Sequence, residues 1–225
     1  MSYRLGVRRA TWLAFAIAIP VAAGLAGGRL GAVFGAILAV VVALWLRFWL
    51  PRSAHGAFDA GLHARAARRY RILHAVATSD ARERAAQLSR IACEIARGSI
   101  DRAEAMLARI DPAALDAAER AVWLNNRACA MLADARDPHA ALALIDEASA
   151  LRPDVPALQH TRGMALLAVG RIDEAIGVLD GMRAGGELPP RLEAERCRDL
   201  ATAWARKGEV AYAEDYRLRA AGLAR

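Results

Sequence analysis

Lysine is almost missing from this chain: of its 31 basic residues only Lys207 is not arginine. Acid is missing from a whole region. Residues 1–50 hold five arginines (Arg4, Arg8, Arg9, Arg29, Arg47) and no Asp or Glu, and residues 51–90 add eight arginines against Asp59, Asp80 and Glu83. Residues 91–225 hold 18 basic and 21 acidic side chains, so the formal net charge of +7 belongs to the N-terminal part alone. A nucleic-acid reader needs its basic footprint on the recognition domain, with base-reading side chains inside it, and this distribution argues against one. Cysteine is scarce as well. Cys93, Cys129 and Cys197 are odd in number and show no CxxC or Cys/His spacing, which excludes a disulfide framework and a zinc site and leaves small apolar core residues in a reduced interior.

Catalytic motifs are also lacking. The chain has no GxxxxGK[ST], no GxGxxG opening a helix after a strand, no HExxH and no GxSxG. His55, His63, His74, His139 and His160 are scattered, with no carboxylate or cysteine at metal-ligand spacing. The acidic pairs Asp146-Glu147 and Asp173-Glu174 read as solvated helix faces. The expectation is a protein that is not an enzyme and needs neither cofactor nor metal.

What is present divides in two. Thr11 to Gly28 is a run of eighteen residues without charge, and Leu30 to Leu46 is seventeen more, extended by Phe48, Trp49 and Leu50 around Arg47. Each approaches the length that a helix needs to cross a hydrocarbon core about 30 Å thick. Gly27, Gly28, Arg29 and Gly31 interrupt them, which predicts two antiparallel spans, about 11–28 and 30–50, within a membrane hairpin of residues 1–52, with Pro20 a candidate kink. Small residues recur every fourth position, at Ala14, Ala18, Ala22 and Ala26 and at Gly31, Gly35, Ala39 and Ala43, a stripe suited to pairing within the hairpin or to a homodimer. Arg4, Arg8 and Arg9 before the first span and Arg47 and Arg52 after the second, with Trp12, Trp45 and Trp49 beside them, place both termini in the cytoplasm by the positive-inside rule. The predicted location is therefore the inner membrane of a bacterium, multi-pass. A cleaved signal peptide is the rival reading of the first apolar run.

Residues 53–83 show helical apolar spacing (Ala57, Phe58, Gly61, Ala66, Ala67, Tyr70, Leu73) and read as a juxtamembrane linker or a degenerate repeat. Two uses stay open for Arg65, Arg68, Arg69 and Arg71: contact with anionic headgroups, or a solvated face.

The remainder repeats. Leu132, Ala141, Leu142, Ile145 and Asp146 recur 34 residues later as Leu166, Ala175, Ile176, Leu179 and Asp180, with Cys129 and Arg136 opposite Gly163 and Gly170. Turn positions Gly98, Arg136, Gly170 and Gly208 place two longer connections, around Asp111 to Asp116 and around Gly185 to Pro190. This spacing of small and large apolar residues resembles the tetratricopeptide repeat (TPR), most clearly in RGMALLAVGRIDEAIGVLD. The resemblance implies an all-α fold, a TPR-like solenoid of about four helix pairs over residues 84–225, following the transmembrane helical hairpin. Ala211 to Arg225 reads as a solvated end cap.

The resemblance also implies protein or peptide binding on a concave surface made by the first helix of each pair. The family's exposed positions fall on Trp123, Asn126, Arg127 and Ala130, then His160, Thr161 and Met164, then Arg198, Asp199 and Thr202. Carboxylate-clamping members resemble one another in a groove Asn, where this chain has Ala92 or Ala130. The expected ligand is thus an internal segment or a folded surface, with Arg127 and Arg198 favouring acidic groups and Trp123 giving apolar contact. The alternative is a structural subunit that associates through its spans.

Overall fold

The computed structural model describes the backbone of residues 2–223 and the side chains of residue 18 and residues 20–223. Among these residues every regular element is helical: α1 (Ser2–Leu44), α2 (Leu50–Asp59), α3 (His63–Ala75), α4 (Asp80–Ala96), α5 (Ile100–Leu107), α6 (Ala117–Ala133), α7 (Pro138–Leu151), α8 (Pro156–Ala168), α9 (Ile172–Gly181), α10 (Pro190–Arg206) and α11 (Val210–Leu223). The chain forms two compact units that divide within α4, between Arg90 and Ile91; Asp59–Gly61 groups with the second.

In the first unit α1 is broken at Gly27 (φ −131°) and Gly28 (φ 60°). Residues eight apart in an unbroken helix are separated by about 12 Å. Here a Cβ added to Gly24 would lie 3.1 Å from that of Ala32, and one added to Gly31 would run into the carbonyl oxygen of Ala23. The chain therefore doubles back where the glycine-rich interruption predicts it. Pro20 sits inside helical backbone, so the glycines and not the proline make the break. Gly31 is half-buried and Gly35 is buried, which turns part of the small-residue stripe inward. The described residues contain one helix long and apolar enough to cross a membrane, Pro20–Asp59, with a mean hydropathy of 2.3 in its most apolar window. Arg4, Arg8, Arg9, Trp12 and Ala14, which the predicted orientation and stripe invoke, lie outside the described side chains.

That helix runs into α2 through a π-helical turn, Trp45–Trp49, in which Leu50 N–H bonds the carbonyl of Trp45. Pro51 has no N–H to give and would crowd the preceding turn. A locally widened turn is a common way for a helix to absorb such a residue. α2 and α3 then pair antiparallel. Arg69 Nη1 donates to the Ser53 carbonyl at 2.6 Å, and the Tyr70 hydroxyl lies 2.6 Å from His55 Nδ1.

The second unit is a TPR-like stack of helix pairs. The first helices α6, α8 and α10 touch in succession, and each second helix packs on the pair that follows. Its core is small against large: Ala128, Ala141, Ile145, Ala165, Leu166, Ala175, Leu179, Leu200 and Ala203 are buried. Each large aliphatic there contributes about 1.5–3 kcal/mol by leaving water. Gly163 is glycine because a Cβ would fall 2.6 Å from Leu179 Cγ.

Three intra-pair turns are alike. Gly98, Gly170 and Gly208 take left-handed φ of 74°, 82° and 87°. The next residue's N–H closes the helix end on a carbonyl five back: Ser99 on Glu94, Arg171 on Leu166, Glu209 on Trp204. This is a Schellman cap, for which glycine is the least strained residue. The α6–α7 turn has the same bond, Arg136 to Met131, but the left-handed residue is Ala135 (φ 50°) and one extra residue follows before Asp137 caps Ala140 N–H at 2.9 Å.

This extra residue corrects the repeat register. Second helices match at 34 residues, as the sequence predicts, but first helices match at 35, so Ala128 rather than Cys129 occupies the close-packed place of Gly163. Ala128 is fully buried whereas Cys129 is half-buried. The longer connections form short 3-10 turns at Pro112–Ala114 and Met182–Gly185.

Candidate functional site

The register shift displaces the predicted binding residues of α6, while those of α8 and α10 keep their predicted register. Of these, Arg127, Arg198 and Thr202 are exposed, Met164 and Asp199 are half-buried, and Trp123, Asn126, Ala130, His160 and Thr161 are buried. They do not form one surface. Trp123, Arg127 and Ala130 line a cleft of about 400 Å³ shared with Glu104, Leu107 and Ala108 of the preceding pair and with Met131 and Arg136. His160, Asp199, Thr161 and Cys129 lie where α6, α8 and α10 meet. His160 Nε2 is 2.8 Å from Asp199 Oδ2, and the Cys129 sulfur is 3.5 Å from Thr161 Oγ1.

The expectation that Trp123 projects from the first-helix face is thereby corrected. Its indole is 8% exposed and its Nε1–H reaches the Leu107 carbonyl at 3.4 Å, so it packs toward α5. Asn126 and Thr161 likewise point into the stack, Thr161 Oγ1 donating to the Ala157 carbonyl at 3.1 Å. The one-residue shift in α6 turns Trp123 and Asn126 about 100° from where a 34-residue match puts them; Thr161 is buried in its predicted register.

Two features make the α5–α6 cleft the better site. Arg127 lies 4.9 Å over the Trp123 ring, which leaves its guanidinium exposed and pre-positioned by a cation–π contact. Arg127 has no carboxylate partner among the described residues. Across the cleft Arg136 is already engaged, bonding Glu104 and pairing with Asp134 at 3.0 Å. The free positive charge in the cleft is therefore Arg127. Arg198 is also exposed and without a carboxylate partner, but it stands on α10, two pairs away.

The cysteines are not reactive groups. Burial pushes the Cys129 and Cys197 thiols up, and Cys93 is fully buried. Thiols so protonated are poor nucleophiles. No group of His, Cys, Asp and Glu able to hold a metal occurs among the described residues.

Arg196 was not legible from the sequence. It is 2% exposed in α10, with both Glu193 oxygens at 2.7 Å, the Leu179 carbonyl at 3.2 Å and Asp180 at 3.6 Å. Tyr216 of α11 completes the network, donating to Asp180 at 3.0 Å. These bonds hold the guanidinium further into its charged range and keep the Glu193 carboxyl below the usual glutamate range. The only hint in the sequence is Glu193 three residues before Arg196, a spacing common on solvated helices too. The network closes the last two pairs and offers no open position for a ligand.

Neither a family model nor a curated protein matches the chain. A solved structure described as MamA MSR-1 C2 is similar at 20% identity, over 78% of this chain and 94% of that one, with a TM-score of 0.46.

Proposed function

We propose that this protein is a membrane-anchored scaffold. In this reading the hairpin of residues 1–52 holds it in a bacterial inner membrane, both termini face the cytoplasm, and the stacked pairs bind a protein partner. The observation that carries the reading is the α5–α6 cleft: an indole wall, aliphatic stems and one unengaged arginine suit a peptide or loop that offers an apolar side chain beside an acidic one. Concave clefts lined by apolar surface with a few polar groups are the usual form of such sites. Arg198 and Thr202 stand exposed on α10, apart from the cleft.

A photo-crosslinking residue at Arg127 of the full chain, compared with one at Phe34 in the apolar run, tests the reading in cells. A discrete adduct from position 127 that is lost in Trp123→Ala supports the cleft. Adducts from position 34 alone assign the protein instead to a structural role through its spans. Gly31, packed against Ala23 where the chain doubles back, weighs against that second role for this part of the stripe.

A further inference from the structure

The first unit holds a helix face that the scaffold reading leaves unused. On α3, Leu62, Arg65, Arg68 and Ile72 lie within about a third of the helix circumference and are all exposed, opposite the buried Ala66, Ala67 and Tyr70. α3 contains no acidic residue. Arg65, Arg68 and the neighbouring Arg71 make no ion pair among the described residues; Arg68 reaches only its own helix, at the Ala64 carbonyl. Leu62 and Ile72 are 46% and 42% exposed, so this basic face also carries apolar surface.

The position of this face is fixed by Arg69. Its guanidinium bonds the Ser53 carbonyl at 2.6 Å and stands 5.9 Å over the Trp49 ring. Trp49 stacks in turn on Trp45 at 5.4 Å, and the two indoles close the apolar run. Indoles at the end of an apolar run mark the headgroup level of a bilayer. α3 is thus tied to the chain at that depth, with arginines and aliphatic side chains on one exposed face.

We propose that α3 is an interfacial helix that docks on anionic lipid headgroups, Arg65 and Arg68 pairing with phosphate oxygens while Leu62 and Ile72 enter the boundary between headgroups and acyl chains. This rests on the reading of the second apolar run, about residues 30–50, as a membrane span. Depth favours lipid over other polyanions: a nucleic acid would leave Leu62 and Ile72 wet, and an acidic protein would have to reach them at the headgroup level that Trp45 and Trp49 mark. Arginines whose long stems let the charge reach headgroups, beside aliphatic side chains that enter below them, suit a helix that lies in the interface. The docking would hold the second helix pair against the bilayer surface.

Hydrogen exchange of the full chain in nanodiscs tests this, with phosphatidylcholine alone or with phosphatidylglycerol added. Amides of residues 63–75 are expected to exchange about tenfold slower in the anionic discs, two arginines near such a surface being enough for that difference. Arg65→Glu with Arg68→Glu should abolish the lipid dependence, and Arg65→Lys with Arg68→Lys should retain most of it. Equal exchange in both discs, or protection that the double Glu variant keeps, overturns the docking while leaving the span reading intact. Protection that appears only when an acidic protein or RNA is added overturns it in favour of that partner. Failure of the chain to enter either disc overturns both readings together.

Discussion

Arginine means different things in the two units. In the second, Arg120 meets Glu147 at 2.6 Å, Arg162 meets Asp146 at 2.6 Å, Arg171 meets Glu174 at 2.5 Å and Arg191 meets Glu195 at 2.5 Å, while Arg196 is locked among Glu193 and Asp180. In the first, Arg52, Arg65, Arg68 and Arg71 have no carboxylate partner among the described residues. The second unit pairs these five arginines internally and leaves Arg127 and Arg198 open, whereas the four named in the first unit present their charge outward. Exposed pairs contribute only about 0–1 kcal/mol each, so the difference concerns what each surface is available to bind more than how each unit is held together.

The contrast can be broken in descending order of effect. Ala175→Arg places an arginine in the second unit with no partner, at a residue that is 0% exposed. Its desolvation should remove most of a stability that is of order 5–15 kcal/mol for a domain, and circular dichroism should show no cooperative melt. A variant that melts like the parent would mean that the second unit tolerates unpaired arginine as the first does. Glu193→Ala removes the main partner of buried Arg196 and should cost about 3–5 kcal/mol in urea unfolding, since the guanidinium stays behind uncompensated.

The same pair sets a pH response. The Glu193 carboxyl is depressed by its bonds from Arg196. Its stabilising effect is therefore complete above the unfolded glutamate value, about 4.3, and is lost as pH falls through the lower folded value. The melting temperature of the parent should drop more steeply than that of Glu193→Gln below about pH 4. Gly163→Ala, which forces Leu179 aside, should cost about 1–3 kcal/mol in chemical denaturation. The smallest effect belongs to the first unit: Arg65→Ala with Arg68→Ala should leave the melting temperature of the detergent-solubilised chain nearly unchanged, within about 0.5 kcal/mol, as expected for exposed residues without partners. A large loss there would show hidden internal pairing and erase the comparison.

The fold was legible where periodicity is strict. Ala141, Leu142 and Ile145 announce the second helix of a pair because small and large apolar residues must alternate for helices to approach, and that spacing survives in Ala175, Ile176 and Leu179. The turn after α6 was not legible to the residue. Ala135 takes a conformation that sequence reasoning reserves for glycine, so the extra residue before Asp137-Pro138 passed unnoticed and displaced the first-helix register by one. That single residue displaced Trp123 and Asn126 on α6; Thr161 on α8 keeps its predicted register and is buried where α6, α8 and α10 meet, while Arg127 and Arg198 are exposed because long charged side chains reach solvent from several positions. The last helix also departs from a polar cap: α11 exposes Val210, Tyr212 and Leu218 beside its charged pairs.

Native thiols cannot report topology here, since Cys93 and Cys197 are buried and Cys129 is half-buried. The proposal that Arg65 and Arg68 serve a lipid surface beside a membrane span is tested most directly by alkaline carbonate extraction of membranes from cells making the full chain. The account predicts that the protein stays in the membrane pellet, as an integral protein does. Release into the supernatant with peripheral proteins would contradict it.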